Sequence, residues 1–507
     1  MRVVRLQLEN FRAFTGPIEI GLSAINVLIG ANNTGKSSIL KALSLMQAGI
    51  SDYSRTLRQG AESGQVQVHL EDIEHVPAWN VAPSSDWGVF RLQLTRNTPT
   101  TAGLNLSLSA SGGDRSVGQL PNQEPDHFII PYLSQRKTAG YSETVNALLS
   151  RTIQPNLSNM SARLSRVSNA SYPYHEAYRT ACEKVLGFMI APLPSDNGHR
   201  PGVYLPDGSE IPIDQMGDGI PHIAGLLVEL AVQSGRLFLI EEPENDLHPS
   251  ALRALLDLIV QSAARNQFVI STHSNIVLSH LGAVEGTRLY SVEATHGRLP
   301  PDSTIREIDP TPAARLEVLA ELGYRLSDLE LWEGWLFLEE ASAERIVRDY
   351  LIPMFAPGLS RVRTLSTQGV TNIEPSFADF DRLVRFSHLQ SVYRDSTWVI
   401  ADGDEDGHKA IDSLRSSYRQ WNPDRFRTWS QPQFERYYPD AFGERIEAVL
   451  AITDRKKRRL EKEQLGSAVR AWLDEDPARA KAALEHSAAE VIGQLRQIDD
   501  SLRSRPR

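Results

Sequence analysis

The glycine-rich segment 30–37, with the sequence GANNTGKS, carries the clearest chemistry of the chain. It matches the pattern G-x-x-x-x-G-K-[ST] in full, and it lies between an apolar strand pattern at Ile25–Ile29 and a helical pattern. Glycines let the backbone wrap closely around phosphates, and backbone N–H groups at a helix start favour negative charge. The lysine reaches the β- and γ-phosphates, and the next hydroxyl binds Mg²⁺. The motif predicts a nucleoside triphosphate site formed by Asn33, Thr34, Gly35, Lys36, Ser37 and Ser38.

Two consecutive carboxylates follow a second apolar strand pattern at 237–240. We expect Glu241 to hold Mg²⁺ through its water shell and Glu242 to orient or deprotonate the attacking water. An acidic loop after a core strand is the alternative. With the glycine-rich motif upstream, the pair predicts nucleotide hydrolysis.

Two further segments fit the same site. His273 follows the apolar stretch FVIST, and ligands gather at the carboxyl ends of strands in doubly wound sheets. A neutral histidine there can sense the γ-phosphate, although a structural histidine is the alternative. Gly217 and Gly219 stand at the start of an apolar helix, where glycines suit a second phosphate contact.

A second group of carboxylates lies in the last third of the chain. The apolar strand pattern at 398–400 leads into Asp402, Asp404 and Asp406. Carboxylates at alternate positions after a strand can converge on one hard cation. The spacing begins like an EF-hand loop, but its twelfth position is Ser413 and it follows a strand, which disfavours that interpretation. A solvated acidic turn is the remaining alternative.

Further charged residues flank this group along the sequence. Glu339 and Glu340 follow the strand pattern WLFL and precede a helix, and a turn with Gly369 comes next. The run 454–463 is rich in Lys and Arg. It is either a solvated helix face or a patch that contacts phosphates.

The composition sets the outer limits of these interpretations. The chain has 507 residues, which predicts two to four domains, and 41% apolar with 23% charged residues is typical of a globular protein. The net charge of −10 argues against a generic charge-driven nucleic-acid binder. A single cysteine, Cys182, excludes an intrachain disulfide and zinc sites that need two thiolates. Without a membrane-length apolar run or an apolar signal region, we expect a cytoplasmic, multidomain enzyme with no membrane partner.

The elements that must position these residues alternate along the chain. Short alternating stretches predict antiparallel strands over 50–125, and 142–190 predicts mainly helix with a break near 169–174. Residues 193–215 predict a loop and hairpin, and the proline-rich segment 300–312 predicts a linker or edge. A second α/β segment begins near Trp335. The tail from about Asp454 predicts helices, with Asp476 and Pro477 as N-cap and first residue of one of them.

Five segments of the first 280 residues resemble the motifs of RecF/SMC/OLD ATPases of the ABC type. NFRAF, GANNTGKSS, MGDG, LIEEPENDLHP and STHS are similar to the N-terminal motif, Walker A, signature, Walker B with D-loop, and switch histidine. The resemblance implies ATP and Mg²⁺ as cofactors and a homodimer or higher homo-oligomer, in which Lys36 of one chain faces Gly217 and Gly219 of another. Gln135 is the candidate Q-loop residue. The chain departs from the pattern with Glu241 in place of Asp and with Met216 before Gly217 in place of Ser.

The order of Glu339, the Gly369 turn and Asp402-x-Asp404 resembles the Toprim domain, a metal-binding α/β fold. The resemblance implies two divalent cations, Mg²⁺ or Mn²⁺, that bridge a scissile phosphate. It also implies Glu435 as a further metal ligand and Lys462 as a basic catalytic residue. Glu340 stands where the family usually has Gly.

Together these resemblances identify the chain as similar to OLD-family nucleases, including the nuclease subunit of Gabija-type defence systems. They imply an α/β fold: an ABC-type P-loop ATPase head with a helical insertion, followed by a smaller Toprim domain. The expected boundaries are 1–141 and 193–312 for the head, 142–192 for an insertion used in dimerisation, 330–465 for the nuclease and 466–507 for a helical tail. The implied activity is ATP-binding, metal-dependent DNA cleavage, in anti-phage defence or DNA processing, with a UvrD-like helicase among the implied partners. Two alternatives stay open: a RecF-like DNA-binding ATPase with a non-catalytic Toprim part, and a sensor that holds an effector protein.

Overall fold

The computed structural model describes residues 1–48, 56–73, 77–79, 86–98, 101–111, 113–133, 141–217, 219–295, 301–321 and 332–504. The chain divides into two compact units, unit 1 (Met1–Pro310) and unit 2 (Thr311–Arg507). None of the helices within these ranges has the length and apolar character needed to cross a membrane.

Unit 1 contains fifteen strands and six α-helices among its described residues. The strands are β1 Arg2–Glu9, β2 Ile18–Gly21, β3 Ile25–Ile29, β4 Ser63–Glu71, β5 Trp87–Thr98, β6 Thr101–Ala110, β7 Gly113–Ser116, β8 Ile129–Tyr132, β9 Ala191–Ser195, β10 Gly198–Tyr204, β11 Glu210–Pro212, β12 Leu237–Glu241, β13 Gln267–Thr272, β14 Arg288–Ala294 and β15 Ser303–Glu307. The helices are α1 Lys36–Ser44, α2 Met160–Val167, α3 His175–Val185, α4 Gly219–Val232, α5 Pro249–Ser262 and α6 Asn275–Gly282.

A six-stranded sheet with the order β15-β14-β3-β13-β12-β8 forms the centre of unit 1. Its strands run parallel except β15, which pairs antiparallel with β14 at one edge. Every residue of β3, β12 and β13 is buried, as expected for parallel strands covered on both faces. The three apolar strands predicted here are confirmed, and so is a mixed α/β fold. Because β13 lies between β3 and β12, the loops that follow these three strands meet at one edge of the sheet.

The antiparallel strands predicted over 50–125 are also confirmed. Strands β4 to β7 join β1 and β2 in a second six-stranded sheet with the order β2-β1-β4-β5-β6-β7, and strand β4 buries every second residue. Strands β9, β10 and β11 form a small antiparallel sheet, which confirms the hairpin predicted at 193–215. Strand β15 shows that the proline-rich segment 300–312 includes a sheet edge.

The prediction of mainly helical structure over 142–190 is wrong for its first third. One 3₁₀ turn, Leu149–Arg151, precedes α2, whereas the expected break between α2 and α3 is confirmed. Asparagine side chains bind backbone groups here: Asn146 accepts from Leu149 N at 2.8 Å, and the Asn159 amide donates to the carbonyl oxygens of Leu149 and Thr152. Such side-chain hydrogen bonds compete with helix formation.

Unit 2 is built on a four-stranded parallel sheet with the order β17-β16-β18-β19. Its strands are β16 Gly334–Leu338, β17 Val362–Ser366, β18 Thr397–Ala401 and β19 Phe426–Thr428. Its helices are α7 Pro312–Glu321, α8 Ala341–Ile346, α9 Ile352–Phe355, α10 Ile373–Phe386, α11 Gln390–Tyr393, α12 Glu405–Ser417, α13 Gly443–Leu450, α14 Arg455–Glu475, α15 Pro477–Ser487 and α16 Ala489–Arg503, and a π-helical segment, Val347–Leu351, joins α8 to α9.

The C-terminal helices pack into the same core as this sheet. Leu484 and Leu495, from α15 and α16, belong to one buried cluster with Leu336 and Ile400, from β16 and β18. Asp476 accepts hydrogen bonds from two backbone N–H groups of α15, which confirms the predicted helix start. The tail is therefore part of unit 2.

Candidate functional site

The glycine-rich loop between β3 and α1 has a conformation that its two glycines make possible. Gly30 has φ +153°, and a Cβ there would lie 2.2 Å from the carbonyl oxygen of Val292. Gly35 has φ +105° and is the N-cap of α1. Both positions lie where side chains are rarely tolerated, so the sequence motif has a direct steric reason. Asn33 adopts φ +65° between them.

Lys36 is the first residue of α1 and is buried. Its ammonium donates to the carbonyl oxygens of Gly30 at 2.7 Å and Ala31 at 2.9 Å, within its own loop. The Thr34 hydroxyl also donates to Ala31 O, at 2.9 Å, and Ser38 is buried one residue beyond Ser37. The ammonium of the predicted phosphate-binding lysine therefore lies within the glycine-rich loop.

Ser37 and Glu241 meet at the edge of the central sheet. The Ser37 hydroxyl donates to Glu241 Oε1, although 204 positions separate the two residues. A hydroxyl and a carboxylate are oxygen donors of the kind that Mg²⁺ prefers. Burial lowers the pKa of Lys36, while Glu242, Glu241 and Glu244 act in the opposite direction. The donor set fits a nucleotide-bound Mg²⁺, and the longer Glu241 side chain still reaches its serine.

Glu242 lies directly after β12 in a left-handed conformation, with φ +49°, which is uncommon for a residue other than glycine. Its N–H donates to Ser271 O on the neighbouring strand at 2.8 Å. One carboxylate oxygen lies 3.5 Å from His273 Nδ1, and the other accepts from the Asn245 amide at 2.8 Å. The structure therefore brings together the predicted water-orienting carboxylate and the predicted histidine.

Glu244 is a residue of this site that sequence reasoning missed. Its Oε1 accepts from the Thr272 hydroxyl at 2.6 Å and from His273 N at 3.0 Å, and it lies 3.5 Å from His273 Nδ1. The side chain is 10% exposed. Glu244 thus ties the loop after β12 to the segment that carries the histidine. The sequence shows Glu244 only as a third carboxylate in EEPE. Its partners, Thr272 and His273, belong to the neighbouring strand and the segment after it, so they cannot be identified from this motif.

The signature glycines have different surroundings. A Cβ on Gly219 would lie 2.6 Å from Asp246 O, so the start of α4 packs against the segment after β12. A Cβ on Gly217 would have open space around it among the described residues. The predicted contact of these glycines with a second chain stays a prediction. The Q-loop candidate Gln135 lies outside the described residues.

In unit 2, Glu339 and Asp402 follow the adjacent parallel strands β16 and β18. Asp402 N donates to Glu339 Oε2 at 3.0 Å, and both side chains are buried. The turn at Gly369 lies beside them, because Gly369 N donates to Glu339 O at 2.8 Å. Asp404 is the N-cap of α12 and accepts from Gly407 N at 2.8 Å.

Burial raises the pKa of Asp402 to about 8, with further contributions from Glu339, Glu340 and Glu435 and an opposing one from Lys462. Burial also raises the pKa of Glu339, against the hydrogen bond from Asp402 N. Buried carboxylates with raised pKa values need either protons or a cation. Their oxygen chemistry fits Mg²⁺ or Mn²⁺.

The predicted convergence of Asp402, Asp404 and Asp406 on one cation stays a prediction. Helix α12 begins at Glu405, so the alternation of an extended chain ends before Asp406, which is exposed in the first turn. Within the described ranges, no group of three or more His, Cys, Asp or Glu side chains is arranged to hold a metal ion. A cation at Glu339 and Asp402 would need further ligands from Asp404, water or substrate.

Lys462 reaches two other carboxylates from α14. Its ammonium lies 3.0 Å from Glu340 Oε1 and 3.0 Å from Glu435 Oε2. Burial lowers the pKa of Lys462, but Glu435 and Glu340 outweigh burial and raise it overall. Glu435, expected as a metal ligand, is fully buried and paired with this ammonium. Glu340, at the position usually taken by glycine, accepts a hydrogen bond from Lys462.

The stability of the metal-free protein is expected to depend on pH through Asp402. Its pKa is about 8 in the fold and 3.8 in the reference state, so between these values the native state holds a proton that the unfolded chain releases. The free energy of unfolding should therefore fall by up to about 5 kcal/mol as pH rises from about 4 to about 8. Urea unfolding in EDTA at pH 5 and pH 8 measures this. Asp402→Asn should show a smaller fall; an equal fall in both proteins would contradict the assignment.

A family model described as "AAA domain, putative AbiEii toxin, Type IV TA system" matches residues 25–279. The RecF DNA replication and repair protein of Xanthomonas axonopodis pv. citri (strain 306) is 37% identical over 79 residues, 16% of this chain and 20% of that protein. The OLD nuclease of Thermus scotoductus (strain ATCC 700910 / SA-01) is 24% identical over 323 residues, 54% of this chain and 59% of that protein. The matches thus span a fifth and about three fifths of these relatives.

Among solved structures, the SMC head domain from Thermotoga maritima has a TM-score of 0.39 and 16% identity, covering 61% of this chain and 100% of that one. An SmcHead bound to the C-winged helix domain of ScpA has a TM-score of 0.44 and 16% identity, covering 62% and 99%. The family model spans just over half of the chain and includes the glycine-rich loop, the carboxylates after β12 and His273. The chain therefore belongs to this family of AAA-domain ATPases.

Proposed function

We propose that the chain is an ATP-hydrolysing, metal-dependent DNA endonuclease, with ATP chemistry in unit 1 and DNA cleavage in unit 2. The main support for DNA cleavage is the buried pair of carboxylates, Glu339 and Asp402, at the ends of adjacent parallel strands. The Thermus OLD nuclease is 24% identical over 54% of this chain, and its name supports a nuclease function.

In unit 1, Lys36 exchanges its loop carbonyl partners for the terminal phosphates of ATP. Ser37 and Glu241 would hold Mg²⁺, which would neutralise charge on the phosphates. Glu242 orients the attacking water or accepts its proton, and His273 lies close enough to respond to the γ-phosphate. We further propose that ATP binding pairs two copies of the chain, with Gly217 and Gly219 of one copy facing Lys36 of the other.

In unit 2, Glu339 and Asp402 hold the divalent cation, with Asp404 as a further oxygen donor. Bound there, the cation would stabilise charge on the scissile phosphate. Carboxylates at the ends of two neighbouring strands are fixed by the sheet, so little reorganisation is needed when the metal binds. A helicase partner and a role in defence stay predictions from the resemblance alone.

The basic residues of α14 support DNA as the substrate despite the net charge of −10. Lys456, Lys457 and Arg459 are exposed within two turns of Lys462 on the same helix. Such residues can contact phosphates one or two helical turns away from the carboxylates. This local positive charge allows the chain to bind DNA although its net charge is negative.

Lys457→Glu is expected to weaken DNA binding equally for different sequences, because phosphate contacts carry no base information. Loss of one phosphate contact should lower the slope of log K against log salt concentration by about 1. Fluorescence anisotropy with labelled duplex at several salt concentrations measures both. Lys184→Glu, an equal charge change at an exposed lysine of α3, is the matched control and should leave the slope unchanged. An unchanged slope for Lys457→Glu would show that Lys457 of α14 does not contact DNA phosphates.

Glu244→Ala is expected to lower the turnover number for ATP hydrolysis about tenfold, because His273 loses its backbone hydrogen bond and its carboxylate neighbour. Glu244→Gln keeps an oxygen acceptor for Thr272 and His273 and should retain most of the activity. Steady-state ATPase rates for the two variants make the comparison. Equal rates for Glu244→Ala and the parent would show that Glu244 does not position the histidine.

The nuclease proposal is tested with supercoiled plasmid and purified full-length chain, with and without Mn²⁺, Mg²⁺ and ATP. We expect nicked or linear plasmid only when a divalent cation is present, and EDTA should stop the reaction. DNA binding without cleavage under every condition would favour the RecF-like alternative, which the match to the Xanthomonas RecF protein keeps open.

A further inference from the structure

Lys462, Glu340 and Glu435 form a closed ion cluster, called here the Lys462 triad. The ammonium lies 3.0 Å from one oxygen of each carboxylate. Glu435 is fully buried, and the Lys462 side chain is 16% exposed. A carboxylate removed from water to this extent needs a positive partner close by, and the lysine supplies it.

The core of unit 2 sets the position of this ammonium. Leu465 and Val469 follow Lys462 on α14 and are fully buried in the core of unit 2. On the other side, the Ser342 hydroxyl donates to Glu340 Oε2 at 3.1 Å, which leaves Glu340 Oε1 directed at the lysine. Both ends of the triad are therefore held by neighbouring structure.

A divalent cation and the Lys462 ammonium would compete for the same place. Mg²⁺ held by Glu340 and Glu435 would require their oxygens at about 2.0–2.1 Å. The ammonium lies 3.0 Å from Glu340 Oε1 and 3.0 Å from Glu435 Oε2, so it occupies the space between the two carboxylates. Two positive charges at such a distance repel strongly in a buried setting. The two-cation site that the Toprim resemblance implies therefore does not fit this part of the cluster.

We propose that unit 2 binds a single divalent cation, at Glu339 and Asp402, and that the Lys462 ammonium takes the place of a second cation between Glu340 and Glu435. The proposal rests on the nuclease function proposed above and specifies its metal requirement. Lys462 acts here as a fixed internal counterion. Paired metal sites usually hold their ions about 3.5–4 Å apart, and this chain replaces one of the two with its own side chain.

Isothermal titration of Mn²⁺ into the metal-free, nucleotide-free full-length chain tests the stoichiometry. Every sample carries Glu241→Gln, so that the candidate metal site of unit 1 adds no binding. We expect one Mn²⁺ per chain for this parent, two for Lys462→Met, and one for the control Lys184→Met, the same change at an exposed lysine of α3. Adding Glu435→Gln to Lys462→Met should return the count to one.

The outcomes separate the inference from the proposed function. Two Mn²⁺ ions in the parent, or one ion in both the parent and Lys462→Met, would overturn the inference and leave the nuclease proposal standing. No Mn²⁺ in the parent would overturn the nuclease proposal and the inference with it. If Lys462→Met does not fold, the number of Mn²⁺ ions bound by the parent still tests the inference. Lys462→Arg keeps the positive charge and must also bind one ion.

Discussion

Glu242→Gln is expected to lower the turnover number for ATP hydrolysis by about 10²–10⁴-fold, the usual effect of removing a general base. The amide keeps the size of the side chain and an oxygen for the Asn245 hydrogen bond, but it accepts no proton from water. Lys36, Ser37 and Glu241 are untouched, so ATP binding should persist. Steady-state hydrolysis and equilibrium binding of a fluorescent ATP analogue measure the two effects separately.

The matched control for this prediction is Glu285→Gln, the same change at an exposed glutamate of unit 1. It should leave both hydrolysis and binding unchanged. If Glu242→Gln hydrolyses ATP at the parent rate, the water is oriented by another group, and Glu244 would be the first candidate because it also lies 3.5 Å from His273 Nδ1.

Asp402→Asn is expected to lower metal-dependent DNA cleavage by about 10³-fold or more, because a bound cation supplies several kcal/mol of charge stabilisation in the transition state. The amide is nearly isosteric, and the Asp402 backbone N–H that donates to Glu339 is unchanged. Folding should therefore be retained. Because the buried Asp402 carboxyl has a raised pKa, the metal-free variant should be as stable as the parent or more stable near neutral pH.

Asp412→Asn is the matched control for cleavage, since Asp412 is exposed on α12 and pairs with Arg415 at 3.3 Å. It should cut plasmid at the parent rate. The initial rate of plasmid nicking at fixed Mn²⁺ concentration is the measured quantity. Equal rates for the parent and Asp402→Asn would place the nuclease chemistry, if present, outside this pair of carboxylates.

Much of the ATP site could be predicted from sequence because its signals are local. The conformations of Gly30 and Gly35 are required by steric contacts, and those contacts explain the spacing of the motif. The strands before Lys36, Glu242 and His273 are short, mainly apolar and fully buried. Because helical patterns separate these short apolar runs, the sequence identifies the runs as strands. Their meeting at one sheet edge follows from parallel pairing.

The features that sequence reasoning missed depend on contacts between distant residues. Glu244 binds Thr272 because β13 lies beside β12, and the segment EEPE gives no information about which strand is adjacent. Lys462 pairs with Glu340 across 122 positions and also with Glu435, so the predicted catalytic lysine and a predicted metal ligand lie in one ion cluster. Asp406 lies in the first turn of α12 and not in an extended segment, because the Asp404 side chain caps the helix. Tertiary packing decides each of these cases.

Plasmid cleavage and ATP hydrolysis measured side by side in two variants, Asp402→Asn and Glu242→Gln, test the two proposed sites most directly. We expect Asp402→Asn to lose cleavage and to keep ATP hydrolysis near the parent rate, because its substitution lies in unit 2. Glu242→Gln should lose hydrolysis. Cleavage by Asp402→Asn at the parent rate in Mn²⁺ would show that the carboxylates at the ends of β16 and β18 do not form the nuclease site.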